Sequence, residues 1–254
     1  MLMNKSAIHS VGDVKRLGAI LFVGAHPDDE TFCCGGLLAA AAQNGQRVVC
    51  VTATRGEKGV HDESKWPADK LGQIREQELN AALAQLGVRE HYMLSYADGA
   101  CAQAGEDDAA QYVAEIIESC GIQTVITFGS DGLTGHPDHC AVSRWADAAV
   151  HISTRKPDIL HIVQPREPYQ KHLRAADKTL RMFFNVKKPV LAGPDDAAVY
   201  MTLDRDCLVR KYLAFKSMPS QMTHILAAIP PESFAGAFGV EALVGATDPR
   251  ARTK

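Results

Sequence analysis

Short apolar runs alternate with helix-like stretches along this chain, and that alternation constrains its fold more than any other feature. Residues 19–24 (AILFVG) are unbroken apolar, the pattern of a strand buried on both faces. Residues 35–44 (GGLLAAAAQN) read as a helix stopped by Gly45. A second strand is expected over 47–53 (RVVCVTA), then a long helix over 68–86 closed by Gly87. That helix places Leu71, Ile74, Leu79, Ala82, Leu83 and Leu86 at its apolar positions. A short strand over 91–94 and a helix over 107–120 follow, with Val113, Ile116 and Ile117 sharing a face. Residues 124–128 (TVITF) are another buried strand, 140–150 a helix, 159–163 and 199–203 strands, and 205–216 a helix. Repeated β–α–β units predict an α/β, Rossmann-like fold with a mostly parallel sheet and helices on both faces. Ligands of such sheets sit outside the carboxyl ends of the strands, which directs attention to the residues after Gly24, Ala53, Leu94 and Phe128.

No linker composition or internal repeat divides the 254 residues, so one domain over 1–254 is expected, with its core at about 19–221 and a C-terminal extension. The stretch 164–198, with four prolines, mixed charge and the pair Phe183–Phe184, reads as a β-rich flap or a long variable insertion. The polar end, 246–254, is expected to fray. Lys and Arg number 27 against 30 Asp and Glu, a formal charge of −3, which argues against a general nucleic-acid binder. A chain of this size buries roughly 70% of its unfolded surface, so it needs no metal or disulfide staple to fold. A metal site in it is therefore better read as functional. Seven cysteines without a CxxC pair, no leader-like apolar segment and no apolar run near the ~20 residues of a membrane span point to a cytoplasmic chain with reduced thiols.

Two clusters carry the chemistry. Ala25-His26-Pro27-Asp28-Asp29-Glu30 follows the first buried strand directly. Imidazole nitrogen and carboxylate oxygen are zinc-type ligands. A single carboxylate there is adequately explained as a helix cap; the whole run exceeds what capping needs. Gly135-His136-Pro137-Asp138-His139 follows the strand at 124–128, with Pro137 suited to a first helical position and His136 and His139 three apart on one helix face. Both clusters lie on the same rim of the sheet, and their convergence on one metal is the economical reading. Catalytic zinc takes three protein ligands and keeps a place for water. Asp28 and Asp29 are adjacent and cannot both point easily at one ion, so one binds and the other serves as base; spacing does not say which.

These residues resemble the PIG-L / LmbE-like family of zinc-dependent N-acetylglucosaminyl deacetylases. The resemblance rests on AHPDDE (25–30), TRGEKG (54–59), REQELNAALAQLG (75–87), YADG (96–99), GHPDH (135–139) and KYLAFKSMPSQ (211–221), and it runs from about residue 19 to 221. It implies an LmbE-like fold, zinc held by His26, Asp29 and His139, and Asp28 as general base. It implies that His136 assists the tetrahedral intermediate or protonates the leaving amine, and that Asp138 orients a histidine. Arg75 is implied to contact substrate or oxyanion, and Asp98 to touch sugar hydroxyls. Where some sugar-specific members carry a Tyr two residues before the histidine of the second motif, this chain has Thr134.

The implied activity is removal of an N-acetyl group from an amino-sugar derivative, releasing acetate. The alternatives are an amidase acting on a larger sugar-linked amide, such as a thiol-sugar conjugate, or a metal-binding protein without catalysis. The donor set also accepts Fe²⁺ or Co²⁺. A small N-acetylated sugar is the expected partner, without nucleic acid or a membrane span, and a homo-oligomer remains open. Glu57 is a candidate indirect support for the site, beside a plain glycine turn at 54–59. His61 and Trp66 are lid candidates. Cys33 and Cys34 read as packing rather than soft ligands. His151, His161, His172 and His224 read as structural or exposed, and Ser220-Gln221 as architecture.

Overall fold

A computed structural model describes residues 8–183, 185–186, 188–246 and 248. The strands are β1 (Ile20–Gly24), β2 (Val48–Thr54), β3 (Glu90–Tyr96), β4 (Thr124–Phe128), β5 (Asp158–Pro165), β6 (Leu191–Ala192), β7 (Val199–Thr202) and β8 (Val240–Gly245). The helices are α1 (Asp29–Gln43), α2 (Ala68–Leu86), α3 (Glu106–Cys120), α4 (Gly132–Gly135), α5 (Pro137–Ile152), α6 (Arg166–Pro168), α7 (Arg174–Leu180), α8 (Arg205–Lys216), α9 (Pro219–Ala228) and α10 (Pro231–Phe238). The sheet runs β3-β2-β1-β4-β5-β8-β7, with β6 joined to β5 off this path. From β3 to β5 neighbouring strands are parallel, and Leu21 of β1 lies between Val49 of β2 and Val125 of β4. β8 runs antiparallel to both β5 and β7. Helices α1, α2 and α8 pack together, and α3 packs on α5, which covers the two faces. This is the expected α/β architecture. The chain leaves β1 towards β2 and returns to its other side at β4, so the crevice for a ligand opens past the ends of β1 and β4.

All five residues of β1, all seven of β2 and all five of β4 are buried, as continuous apolar runs in a two-sided parallel sheet should be. Gly87 and Gly121 end α2 and α3 with φ of 80° and 69°, the left-handed conformation that glycine adopts most cheaply. Three expectations differ from what the chain does. α1 begins at Asp29 rather than residue 35, because Asp29 and Glu30 form its first turn, where acidic groups favour the positive end of the helix dipole. α5 begins at Pro137 rather than residue 140, with the His136 side chain as its cap.

The stretch 164–198 is mostly helical turns, not a β-rich flap; its strand content after β5 is the two residues of β6. Leu173 and Phe183 are buried, and Tyr169 meets Phe183 edge to face, which seats this insertion on the core. Phe184 and the segment 249–254 lie outside the described residues. The C-terminal stretch turns back into the sheet as β8. There Glu241 pairs with Lys211 of α8 at 2.6 Å, both fully buried, and accepts the backbone amides of Gly36 and Leu37 in α1. A buried ion pair needs such extra hydrogen bonds to offset its lost hydration.

Candidate metal and catalytic site

The loop after β1 is closed by Asp29. Its Oδ2 accepts the amides of Ala25 and His26 at 2.9 and 2.8 Å, which turns the chain into α1 and fixes the carboxylate. The other oxygen, Oδ1, lies 3.4 Å from Nε2 of His139. That nitrogen lies 3.1 Å from Nδ1 of His26, and Asp29 Oδ2 lies 3.9 Å from the same Nδ1. Residues from the ends of β1 and β4 thus bring two imidazole nitrogens and a carboxylate together.

Hydrogen bonding sets the tautomers. His139 Nδ1 donates to the carbonyl of Gly132 at 3.0 Å and its ring stacks on Phe128, leaving Nε2 as a lone pair. His26 Nε2 faces Asp98 at 3.2 Å and Asp138 at 3.3 Å, so its proton belongs there and Nδ1 is the lone pair. Two lone pairs and a carboxylate facing one another repel unless a proton on His26 Nδ1 or a cation lies between them. The residues therefore fit a divalent metal, with the outer carboxylates that usually orient a ligating histidine. Burial lowers the His139 pKa to about 4, which keeps the ring neutral and able to ligate near neutral pH. For His26 burial works the same way, but Asp138, Asp98 and Asp29 outweigh it and raise the pKa to about 10, a measure of how strongly this corner favours positive charge.

Asp28 is separated from Asp29 by backbone. It adopts φ 143°, a strained value for a residue with a side chain, and its amide donates to Glu30 Oε2 at 3.3 Å. Its carboxylate turns to Arg75, whose Nη2 donates to Asp28 Oδ2 at 3.1 Å. Burial raises the Asp28 pKa to about 6, with Arg75 opposing. Arg75 spends further donors on the carbonyls of Gly56 (2.7 Å) and Pro27 (2.9 Å). Three of its five N–H donors are thus committed to holding the two loops and Asp28 rather than left free for a substrate. A Cβ on Gly56 would come within 2.3 Å of Arg75 Nη1, and one on Gly59 within 2.4 Å, so the glycines of the 54–59 motif make room for this guanidinium.

Asp138 is fully buried and does not line the pocket. It accepts the amides of Gly99 at 2.7 Å and Cys101 at 3.0 Å while facing His26, so it acts through His26 as a positioning residue. His136 Nδ1 accepts the Asp138 amide at 3.2 Å, which leaves the neutral ring's proton on Nε2. Burial, with His26 nearby, lowers the His136 pKa. Asp98 accepts the Lys58 amide, and Glu57 in turn accepts the Asp98 amide, so Glu57 supports the site indirectly. Burial alone would raise the Asp98 carboxyl, but His26 and the Lys58 amide hold it well below the usual range.

These groups open on a cavity of about 470 Å³ that also meets Lys58, Thr134, Leu180 to Phe183, Met222 and Ile225. Thr134 Oγ1 lies 3.5 Å from His139 Nδ1. His61 lines the cavity beside His224, with ring centroids 4.2 Å apart; Trp66 does not line it. His224, read from its spacing as structural or exposed, is half-buried and lines this wall; nothing in its local spacing signals α9 folding back over the site. His161 is buried against Asp147, and His151 and His172 are exposed. Burial raises the Cys33 and Cys34 thiols well above their ordinary value, which suits packing rather than metal binding. All seven cysteines are unpaired. Ser220 donates to Glu78 and Gln221 to the Gly59 carbonyl, which tie α9 to α2 and the 54–59 loop. Among the described residues no helix is long and apolar enough to cross a membrane.

Comparison with known proteins identifies the family and the fold. The family model described as PIG-L, GlcNAc-PI de-N-acetylase, matches residues 21–150. A 1D-myo-inositol 2-acetamido-2-deoxy-alpha-D-glucopyranoside deacetylase from Actinosynnema mirum is 32% identical over 228 residues, covering 80% of this chain and 81% of that one. Among solved structures, the N,N'-diacetylchitobiose deacetylase from Pyrococcus horikoshii superposes with a TM-score of 0.63 at 19% identity, covering 94% of this chain and 88% of that one. The zinc inhibited form of teicoplanin deacetylase gives 0.60 at 18% identity, covering 91% and 99%. At those identities the two structures speak for the fold.

Proposed function

This chain belongs to the PIG-L family, and from that premise we propose that it is a metal-dependent hydrolase that removes the N-acetyl group of an N-acetylglucosamine-type sugar. The observation that carries the reading is the approach of His139 Nε2 to both His26 Nδ1 and Asp29 Oδ1, beside a second, separately held carboxylate, Asp28. His26, Asp29 and His139 would hold the metal, with zinc the first choice and Fe²⁺ or Co²⁺ compatible with the same donors. When bound, such an ion polarises the amide carbonyl and lowers the pKa of a water to about 7.

The chain's own groups supply the rest. Asp28, aimed by Arg75, takes a proton from the attacking water as its oxygen bonds to the acetyl carbon. His136 is neutral and donates from Nε2–H to the oxygen of the tetrahedral carbon, a donor fixed in advance by its Nδ1 bond. The C–N bond then breaks, Asp28 passes its proton to the leaving nitrogen, and a free amine and acetic acid result, the acid losing its remaining proton to solvent as acetate. Asp98 and Lys58 face the sugar. A small N-acetylated sugar is the partner, and seven unpaired thiols fit a cytoplasmic setting.

An acetate-release assay over N-acetylglucosamine derivatives, with and without chelator, tests this reading. Release that chelator abolishes and zinc restores is expected. Undiminished release by protein shown to be metal-free would sink it, as would no release by metal-replete protein from any derivative.

A further inference from the structure

The cavity is divided in its chemistry. Strand order puts the loops after β2 and β3, with Lys58 and Asp98, on one side of β1. Leu133 follows β4 and residues 180–183 follow β5, on the other side. That second side is largely apolar: Leu133, Leu180, Met182 and Phe183, joined by Met222 and Ile225 of α9, with the polar Thr134, Arg181, Gln221 and His224 between them; α9 packs on α7 and reaches the 54–59 loop through Gln221. Two strained residues help to build it. Leu133 and Arg181 hold φ of 62° and 55°, left-handed values costly for side-chain-bearing residues, and the turn at Arg181 accompanies both Leu180 and Met182 on the cavity. The wall is anchored as well as present: Asp177 accepts the Met182 amide at 2.8 Å and the Tyr169 hydroxyl at 3.1 Å.

We infer that the preferred substrate is amphiphilic: an amino sugar whose polar ring faces Lys58 and Asp98 and which bears an apolar limb lying on the wall from Leu133 to Ile225. This rests on the deacylase reading above. A polyhydroxylated limb placed there would leave hydroxyls without partners, whereas an alkyl or aryl limb would lose only water. At about 470 Å³ the cavity exceeds what an acetyl group occupies beside a sugar ring, so there is room for the limb. The same chemistry arises from two places on the molecule, the glycosidic aglycone or a lengthened N-acyl chain.

Free-amine release by the metal-replete full chain distinguishes them. The substrates are the inositol glycoside of N-acetylglucosamine as hydrophilic reference, its hexyl and benzyl glycosides, and N-hexanoylglucosamine. At least one apolar arm is expected to exceed the reference about ten-fold or more in kcat/KM. Gains by the glycosides assign the limb to the aglycone, and a gain by the hexanoyl amide assigns it to the acyl chain. The Leu180→Gln/Met182→Gln double variant, checked for folding by circular dichroism, is expected to bring that ratio down towards one. Turnover of the reference equal to or above every apolar arm overturns the inference while leaving the hydrolase reading intact, as does an apolar preference unchanged in the folded double variant. No amine from any substrate overturns both.

Discussion

The two sides of the cavity are held by the same kind of device with different consequences. On the catalytic side the buried Asp138 accepts the amides of Gly99 and Cys101 and faces His26. On the apolar side the half-buried Asp177 accepts the Met182 amide and the Tyr169 hydroxyl. Each carboxylate fixes a loop, but only Asp138 also faces a candidate metal ligand. The catalytic side grows from short loops at the ends of parallel strands, where backbone position is set by the sheet. Apart from Leu133 after β4, the apolar side comes from an insertion and a C-terminal helix whose cavity-lining segments pack onto the core, the insertion entering the sheet only at β6. On the proposed reading, the chemistry is built into the fold and the selectivity is attached to it.

The largest effect should come from Asp28, the group in which the catalytic side's geometry becomes chemistry. Asp28→Asn keeps the hydrogen bond from Arg75 but cannot take a proton, so turnover should fall at least about 10²-fold while metal content stays near wild type. Equal turnover in that variant removes Asp28 from the base role. The same carboxylate gives a pH limb. Its pKa is raised to about 6, and the base form is lost on protonation, so kcat/KM should fall as pH drops through about 6. A bound divalent cation nearby favours the carboxylate and moves the limb lower still. A limb above pH 7 in wild type, or an unchanged acid limb in Asp28→Asn, would contradict the assignment.

Next is Asp138→Ala. Removing it frees the loop at Gly99 and leaves His26 oriented by Asp98 alone, so metal affinity should drop roughly 10- to 100-fold. A chelator competition titration reads this directly. Affinity equal to wild type would mean that Asp138 is only loop architecture, and the contrast with Asp177 would collapse.

What was legible in the chain follows the same division. Two-sided burial writes itself as continuous apolar runs, so β1, β2 and β4 were readable, and both His-Pro-Asp clusters fell on the rim that parallel topology prescribes. The separate aims of Asp28 and Asp29 were not readable, because they depend on a φ of 143° and on the distant partner Arg75. The glycines of 54–59 gave a signal that two readings shared, a turn or a site loop; the structure gives both, since the turn is shaped around Arg75. The start of α1 was hidden because Asp29 and Glu30 look like loop residues until their first-turn position is known. The apolar wall had no local signature. Leu180, Met182, Met222 and Ile225 look like ordinary core residues, and only tertiary packing brings them to the cavity. β8 has no local signature for a related reason: one of its partners, β5, lies far away in sequence, and its place is set by that pairing.

The smallest effect, and the one that sharpens the comparison most, is Asp177→Ala. It removes two hydrogen bonds at the surface of the insertion, each worth about 1 kcal/mol net, and leaves no charge stranded. Part of that is recovered as water reaches the freed Met182 amide, so a loss near 1 kcal/mol is expected, which lowers Tm by about 2–4 °C for a domain of this size. Metal affinity should not change, because no bond from Asp177 leads to His26, Asp29 or His139. Thermal melts with and without saturating zinc measure both quantities. The zinc-induced rise in Tm should equal that of wild type in Asp177→Ala and shrink in Asp138→Ala, since a ligand stabilises only in proportion to its affinity for the folded state. Equal shrinkage in the two variants would show the wall and the metal cluster to be one cooperative unit, and chemistry and selectivity would then have to be explained together.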